Sequence, residues 1–130
     1  MYKIGVKSDY EELYRYNLVI TCAGYDAQGE QLYVTGVEKI YSEEFNETFG
    51  VLPPIPLDFI VGESLTLECE TAEKIHVIVY VVTTSLPKSR LVDDSPPFDL
   101  EIRVERDSET IYELTHQVNQ WGGASINIKL

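Results

Sequence analysis

The sequence has no long apolar run and few basic residues, and each of these absences argues against a class of protein. No stretch of its 130 residues approaches the roughly 18 consecutive apolar residues that a membrane-spanning helix needs. The first twelve residues lack the apolar centre of a secretory signal peptide. Ten basic against 22 acidic residues give a net charge of −12, which phosphate backbones and anionic lipids repel. We expect an acidic, soluble protein without nucleic-acid or membrane partners. A cytoplasmic location is favoured, although a leader removed before Met1 would leave no trace.

Cysteine is also scarce. Cys22 and Cys69 each fall on the apolar phase of an alternating stretch, which is typical of buried free thiols. There is no CxxC pair and no group of cysteine and histidine residues at metal-ligand spacing. A chain of this length buries roughly two thirds of its unfolded surface, so its stability requires neither a disulfide nor a metal. We therefore expect two buried free thiols, with a disulfide between Cys22 and Cys69 as the alternative. We expect no metal and no cofactor.

Helical periodicity is lacking throughout the chain. Apolar and polar residues instead alternate in about eight short segments separated by turns roughly every ten residues, which is the pattern of a β-sandwich or barrel. The sequence predicts a single all-β domain over residues 1–130. Its fold is predicted to be an antiparallel two-sheet sandwich, immunoglobulin-like or a related Greek key, with a closed β-barrel as the alternative.

The alternation also predicts how the strands are connected. A short edge strand is expected at residues 2–7 and a last strand at residues 124–130. Residues 38–49 alternate only approximately and give a weaker strand prediction. Prolines over residues 50–64 favour an extended connection between two sheets, and residues 85–97 predict a long polar loop. Three hairpins are predicted, pairing residues 13–22 with 32–37, 65–69 with 73–84, and 98–105 with 111–118.

The segment from Glu73 to Thr84 is the longest apolar stretch of the chain. Both of its alternating faces are apolar: Ile75, Val77, Val79 and Val81 form one, and His76, Ile78, Tyr80 and Val82 form the other. Such a segment is typical of an inner strand covered on both sides. We expect the first face to meet apolar residues of an opposing sheet, including Leu18, Leu100 and Ile126. The second face must lie under the proline-rich connection or under another molecule.

Candidate catalytic groups are few. His76 and His116 lie in phase with apolar strand residues, and no serine, cysteine or aspartate stands near them at a spacing that indicates catalysis. Asp93, Asp94 and Asp99 cluster in the loop DDSPPFD but lack the alternate spacing of calcium-binding loops. The sequence therefore favours a protein that is not an enzyme and has neither catalytic nor metal-binding residues. An enzyme that uses cysteine or histidine chemistry is the last of the alternatives.

The distribution of tyrosine is a second sign of a partner, beside the apolar second face of the segment from Glu73 to Thr84. Seven of the nine tyrosines fall in the first 41 residues, and exposed tyrosine and tryptophan rings are common at protein and sugar interfaces. The sequence thus favours a non-catalytic module that binds another protein or assembles with copies of itself, with a carbohydrate-binding module as the alternative. The candidate binding residues are Tyr14, Tyr16, Tyr33 and Trp121.

Overall fold

Eight strands form two antiparallel four-strand sheets in the computed structural model, which describes residues 1–87 and 89–130. The strands are β1 (Tyr2–Lys7), β2 (Tyr16–Tyr25), β3 (Gln31–Lys39), β4 (Leu65–Cys69), β5 (Lys74–Thr83), β6 (Phe98–Arg106), β7 (Glu109–Val118) and β8 (Ala124–Lys129). The first sheet has the order β4-β1-β6-β7 and the second the order β3-β2-β5-β8. The predicted two-sheet sandwich is confirmed, and the closed-barrel alternative is wrong.

Two 3-10 helices, Leu13–Arg15 and Val92–Asp94, accompany the strands. No helix in the described part of the chain is long and apolar enough to span a membrane.

The core lies between the two sheets and is built from the alternation seen in the sequence. Residues of β2 and β5 that point inward pair directly, for example Ile20 with Val79, and meet the inner residues of β1 and β6. The side chains with no exposed surface include Ile4, Val6, Ile20, Val77, Val79, Leu100, Ile102 and Val104. Burial of each such side chain stabilises the fold by about 1.5–3 kcal/mol. The layer of side chains between the two sheets therefore supplies much of the free energy that drives folding.

The first strand is an inner strand, and the prediction of an edge strand was wrong. Ile4 pairs with Leu67 of β4 on one side and with Val104 of β6 on the other. The alternation of β1 shows that one of its faces is exposed to solvent. It does not show whether the strand pairs with one neighbouring strand or with two. Lys3 and Lys7 point outward while both edges of the strand are paired.

Two of the three predicted hairpins, β2 with β3 and β6 with β7, are confirmed. The third is wrong, because β4 belongs to the first sheet and β5 to the second, so residues 70–73 cross between the sheets. A four-residue polar segment can form either a hairpin turn or a connection between two sheets. The sequence alone therefore does not distinguish the two. The strand predicted at residues 38–49 ends at Lys39, and beyond it only Asn46 forms an isolated bridge, to Ser85.

The inner-strand prediction for β5 is confirmed, since β2 and β8 flank it. Its predicted contacts are partly wrong: Leu18 and Ile126 are its neighbours within the same sheet, where they pair with Val81 and Val79. Of the three predicted residues, Leu100 alone lies in the opposing sheet.

The proline-rich connection joins the two sheets as predicted but does not cover the outer face of β5. It packs instead near the start of β2, where the Phe59 ring lies 5.2 Å from the Tyr14 ring and 5.6 Å from the Tyr41 ring. Tyr80 and Val82, whose side chains point outward from β5, remain 36% and 48% exposed. In the predicted polar loop at residues 85–97, Lys88 lies outside the described residues.

The inner position of β1 predicts a large cost for truncating Ile4. We expect Ile4→Ala to lower the free energy of unfolding by about 2–5 kcal/mol, since it opens a cavity between the two sheets. The neighbouring Lys3→Ala, on the wet face, should change it by less than about 0.5 kcal/mol. Urea unfolding of both variants measures the difference, and a loss below about 1 kcal/mol for Ile4→Ala would contradict this packing.

Candidate protein-binding surface

Twelve residues form the part of the outer face of the second sheet in which all four strands are paired. Directly paired residues of an antiparallel sheet point to the same face, so the register between strands fixes its rows. The three rows are Glu38, Val19, Tyr80 and Ser125; Gly36, Thr21, Ile78 and Asn127; and Val34, Ala23, His76 and Lys129. We call these twelve residues the outer face. Its middle columns belong to β2 and β5, the two inner strands that also build the core.

Five of the twelve residues of this outer face are apolar or aromatic, although a solvated sheet face is normally polar. Val19, Val34, Ile78 and Tyr80 lie on it together with Ala23, and Val34 is 59% exposed. Glu38, Lys129 and His76 are its only ionisable groups apart from the Tyr80 phenol, in a chain with ten basic and 22 acidic residues. A contiguous apolar patch of this kind commonly marks an interaction site. The cover expected for the second face of β5 is therefore not supplied by the described part of the chain.

The two histidines lie in different sheets, and each contacts one polar side chain. The Nε2 atom of His76 lies 3.0 Å from the Oδ1 atom of Asn127 on the outer face. His116 lies on β7, where its Nε2 atom is 2.9 Å from the Tyr112 hydroxyl and the two rings stack. Among the described residues, no group of three or more His, Cys, Asp or Glu side chains could hold a metal ion. The contacts of both imidazoles are thus with an amide and a phenol, and neither is with a carboxylate or a thiol.

The structure does not bring the four predicted binding residues together. Tyr14 and Tyr16 are 4% and 0% exposed, so the prediction that their rings face a ligand is corrected. Tyr14 belongs to the short 3-10 helix, where its ring packs against the Phe59 ring. Tyr16 begins the buried stripe of β2. Tyr33 pairs with Gly24 at the opposite end of β2 from Tyr16.

Tyr33 and Trp121 are partly buried, and their role in binding stays a prediction. The Tyr33 hydroxyl donates to the Glu70 carbonyl over 2.6 Å, and the Trp121 ring lies 5.8 Å from the Phe49 ring. The carbohydrate alternative thus loses two of its four rings.

A buried polar cluster at the end of the sandwich was not predicted. Arg15 has no exposed surface, and its Nη2 atom donates to the Tyr10 hydroxyl and to the Gln120 side chain, each over 2.7 Å. Its Nε atom pairs with the Glu12 carboxylate at 3.1 Å. Burial raises the pKa of the Tyr16 hydroxyl, which therefore stays protonated and donates to the Gln120 carbonyl over 2.6 Å. The cluster ties the start of β2 to the segment that leads into β8.

Comparison with known proteins adds little to this geometry. No protein-family model matches the sequence, and no curated protein matches it. The chain is similar to the crystal structure of a DUF4425 family protein from Bacteroides ovatus, with 14% sequence identity, a TM-score of 0.43, and coverage of 99% of this chain and 90% of that chain. At this level of similarity, nothing about the function of the present chain follows.

The Arg15 cluster predicts a specific stability loss. We expect Arg15→Ala to lower the free energy of unfolding by about 3–5 kcal/mol, because it leaves the buried partners of the guanidinium without their donor. Arg103→Ala is the matched control, since Arg103 is an exposed arginine that pairs with Glu105 at 3.3 Å, and it should cost no more than about 1 kcal/mol. Equal losses in urea unfolding would show that the burial of Arg15 has no energetic consequence.

Proposed function

We propose that this protein is a non-catalytic assembly module that associates with a second copy of itself through the outer face. The observation that carries the proposal is the uncovered apolar surface on its two inner strands, β2 and β5. Burying that surface removes apolar area from water without displacing any element of the sandwich. A two-fold dimer places the same patch on both subunits, so the patch must be complementary to itself.

The charges of the outer face favour a second copy as the occupant. Glu38 and Lys129 stand at opposite corners of the grid, and no described side chain forms an ion pair with either. A two-fold axis along the other diagonal, from the Val34 corner to the Ser125 corner, brings Glu38 of one copy to the partner's Lys129. Symmetry then repeats that pair, so both charges on the face are compensated.

This axis also fixes how the two sheets cross. It runs at about 45° to the strands, because the grid is nearly square: four strands about 4.8 Å apart and three rows about 6.8 Å apart. The strands of the two copies therefore cross at about 90°, which is the orthogonal mode of sheet packing. Ile78 and Thr21 lie near the middle of the grid, close to the axis.

The size of the overlap predicts the strength of the dimer. Crossed sheets share a square of about 19 Å a side, or about 700 Å² of flat area for both copies before side-chain relief is added. That lies close to the roughly 1,000 Å² at which specific interfaces begin. We therefore expect a dimer that dissociates in the micromolar range.

A charge at the centre of the outer face should abolish the dimer. We expect Ile78→Glu to be monomeric at concentrations where the unchanged protein is dimeric, because the two-fold axis brings two carboxylates together in an apolar contact. Sedimentation velocity measures the change. Leu57→Glu is the matched control, since Leu57 is fully exposed on the proline-rich connection, and it should dimerise normally. A monomeric unchanged protein, or a dimer that survives Ile78→Glu, would refute the proposal.

Exchange of the two corner charges tests the crossed arrangement. Glu38→Lys and Lys129→Glu should each weaken the dimer at least several-fold, since each places like charges together, and the double variant should restore it. The double variant keeps the net charge of −12, so its recovery cannot arise from overall repulsion. Glu68→Lys, on the other sheet, changes the charge as Glu38→Lys does and should leave the dimer intact. If Ile78→Glu abolishes the dimer but the exchange restores nothing, the outer face is the interface and the crossed arrangement is wrong.

A further inference from the structure

The outward side of the first sheet carries a cleft over Gly5, in the middle of β1. Gly5 pairs with Thr66 of β4 and with Arg103 of β6. Lys3 and Lys7 lie two residues before and after Gly5, on the same side of the strand. The cleft has a volume of about 270 Å³, and all five of these residues line it. We call it the β1 cleft.

Nothing in the fold of β1 explains why residue 5 is glycine. Its φ is not positive, and neither pairing of the strand contains a bulge. The other two glycines that lie in strands are explained by close contacts. A Cβ atom at Gly24 would lie 2.4 Å from the Tyr33 ring, and a Cβ atom at Gly36 would lie 3.0 Å from the Ile20 carbonyl oxygen.

A Cβ atom at Gly5 would instead meet none of the described atoms within 4 Å. Glycine inside a strand costs stability, because it loses more conformational freedom on folding than any other residue. Where neither a bulge nor a bend requires it, such a glycine often marks a place where a ligand approaches the backbone closely. Gly5 therefore points to a ligand in the β1 cleft.

The β1 cleft concentrates positive charge in an acidic chain. Three of the ten basic residues, Lys3, Lys7 and Arg103, line it, against two of the 22 acidic residues, Glu101 and Glu105. Three positive and two negative side chains leave the cleft with a net charge of +1, whereas the whole chain carries −12. An anion is therefore attracted to this part of the surface and repelled by most of the rest.

The protein itself uses these cationic groups only in part. No described side chain forms an ion pair with the Lys3 ammonium. The Lys7 ammonium lies 3.8 Å from the Glu101 carboxylate, which is a long contact. The Nε and Nη2 atoms of Arg103 donate to the Thr110 hydroxyl over 3.2 and 2.8 Å, and Nη1 is left for a ligand. All three cations can thus still bind an anion.

We infer that the β1 cleft binds a small linear dicarboxylate, which lies along β1 with its carbon chain over Gly5 and one carboxylate at each of Lys3 and Lys7. The Cα atoms of the two lysines lie about 13 Å apart, because a strand rises about 3.3 Å per residue. Two separated negative charges match this spacing better than a single phosphate group does. The Nη1 atom of Arg103 donates to one of the carboxylates.

The size and place of the cleft limit what the ligand can be. Its volume is just below the roughly 300 Å³ at which small-molecule sites begin, so the ligand has only a short chain. The missing Cβ atom of Gly5 lets that chain approach the backbone. The cleft lies on the first sheet, so binding here does not depend on the dimer formed through the outer face of the second sheet.

Titration of the unchanged protein with glutarate at low ionic strength, followed by the amide signals in nuclear magnetic resonance, tests the site. We expect saturable shifts centred on Gly5 and Thr66, with a dissociation constant of about 1 mM or below. Pentanoate has the same chain length but one carboxylate, and it should bind roughly ten-fold more weakly. Inorganic phosphate should also bind more weakly than glutarate.

Lysine variants test the two ends of the ligand. Lys3→Ala and Lys7→Ala should each weaken glutarate binding at least several-fold, since each removes the partner of one carboxylate. Lys74→Ala is the matched control, because Lys74 is an exposed lysine of β5 in the other sheet. It removes the same charge from the chain and should leave glutarate binding unchanged.

Gly5→Val separates a ligand site from a structural role of the glycine. Valine fills the cleft with a side chain that strands favour, so glutarate binding should be lost. The melting temperature should stay the same or rise. A lower melting temperature would show that β1 itself requires glycine, and it would overturn the inference.

Three binding results would also overturn the inference. The first is the absence of shifts with glutarate, and the second is unchanged glutarate binding by Gly5→Val. The third is an affinity for pentanoate or phosphate equal to that for glutarate, which would show that the cleft holds a single anionic group and not a dicarboxylate.

Discussion

The pairing of β2 with β5 is the interaction on which the rest of the structure depends. Ten residue pairs join the two strands, from Tyr16 with Thr83 to Tyr25 with Lys74. Their inner side chains form one wall of the core, and their outer side chains form the middle of the apolar outer face. The same backbone hydrogen bonds therefore hold both surfaces in register. A displacement of either strand that disturbed the outer face would therefore also disturb the core.

The regular part of the fold could be predicted from the sequence, because alternation reports directly which side of a strand is wet. It placed β6 and β7 well and identified β5 as an inner strand. Alternation does not show which strands pair through their backbones. For that reason the sequence wrongly predicts β1 as an edge strand and β4 as the hairpin partner of β5. The proline-rich connection was expected over Ile78 and Tyr80, but it packs through Phe59, a residue whose contacts no local pattern reveals.

Only part of the candidate surface could be predicted from the sequence. The apolar second face of β5 pointed to a missing cover, but the columns that complete the patch, such as Val19 of β2 and Val34 of β3, became apparent only from the register between strands. The tyrosine signal was misleading for a physical reason. The Tyr16 ring packs in the core, and its hydroxyl donates to Gln120 in the buried cluster around Arg15. An amphipathic side chain can therefore be satisfied inside the protein as well as at an interface.

The central claim is that the outer face is the contact between two copies. Methyl-selective nuclear magnetic resonance of the unchanged protein, followed on dilution through the micromolar range, tests it most directly. A dimer formed through the outer face should give concentration-dependent shifts for the outward methyl groups of Val19, Val34 and Ile78. The inward methyl groups of Val77 and Val79, on the same strand as Ile78, should not move. Shifts confined to β7 or to the proline-rich connection, or no shifts at any concentration, would contradict the account.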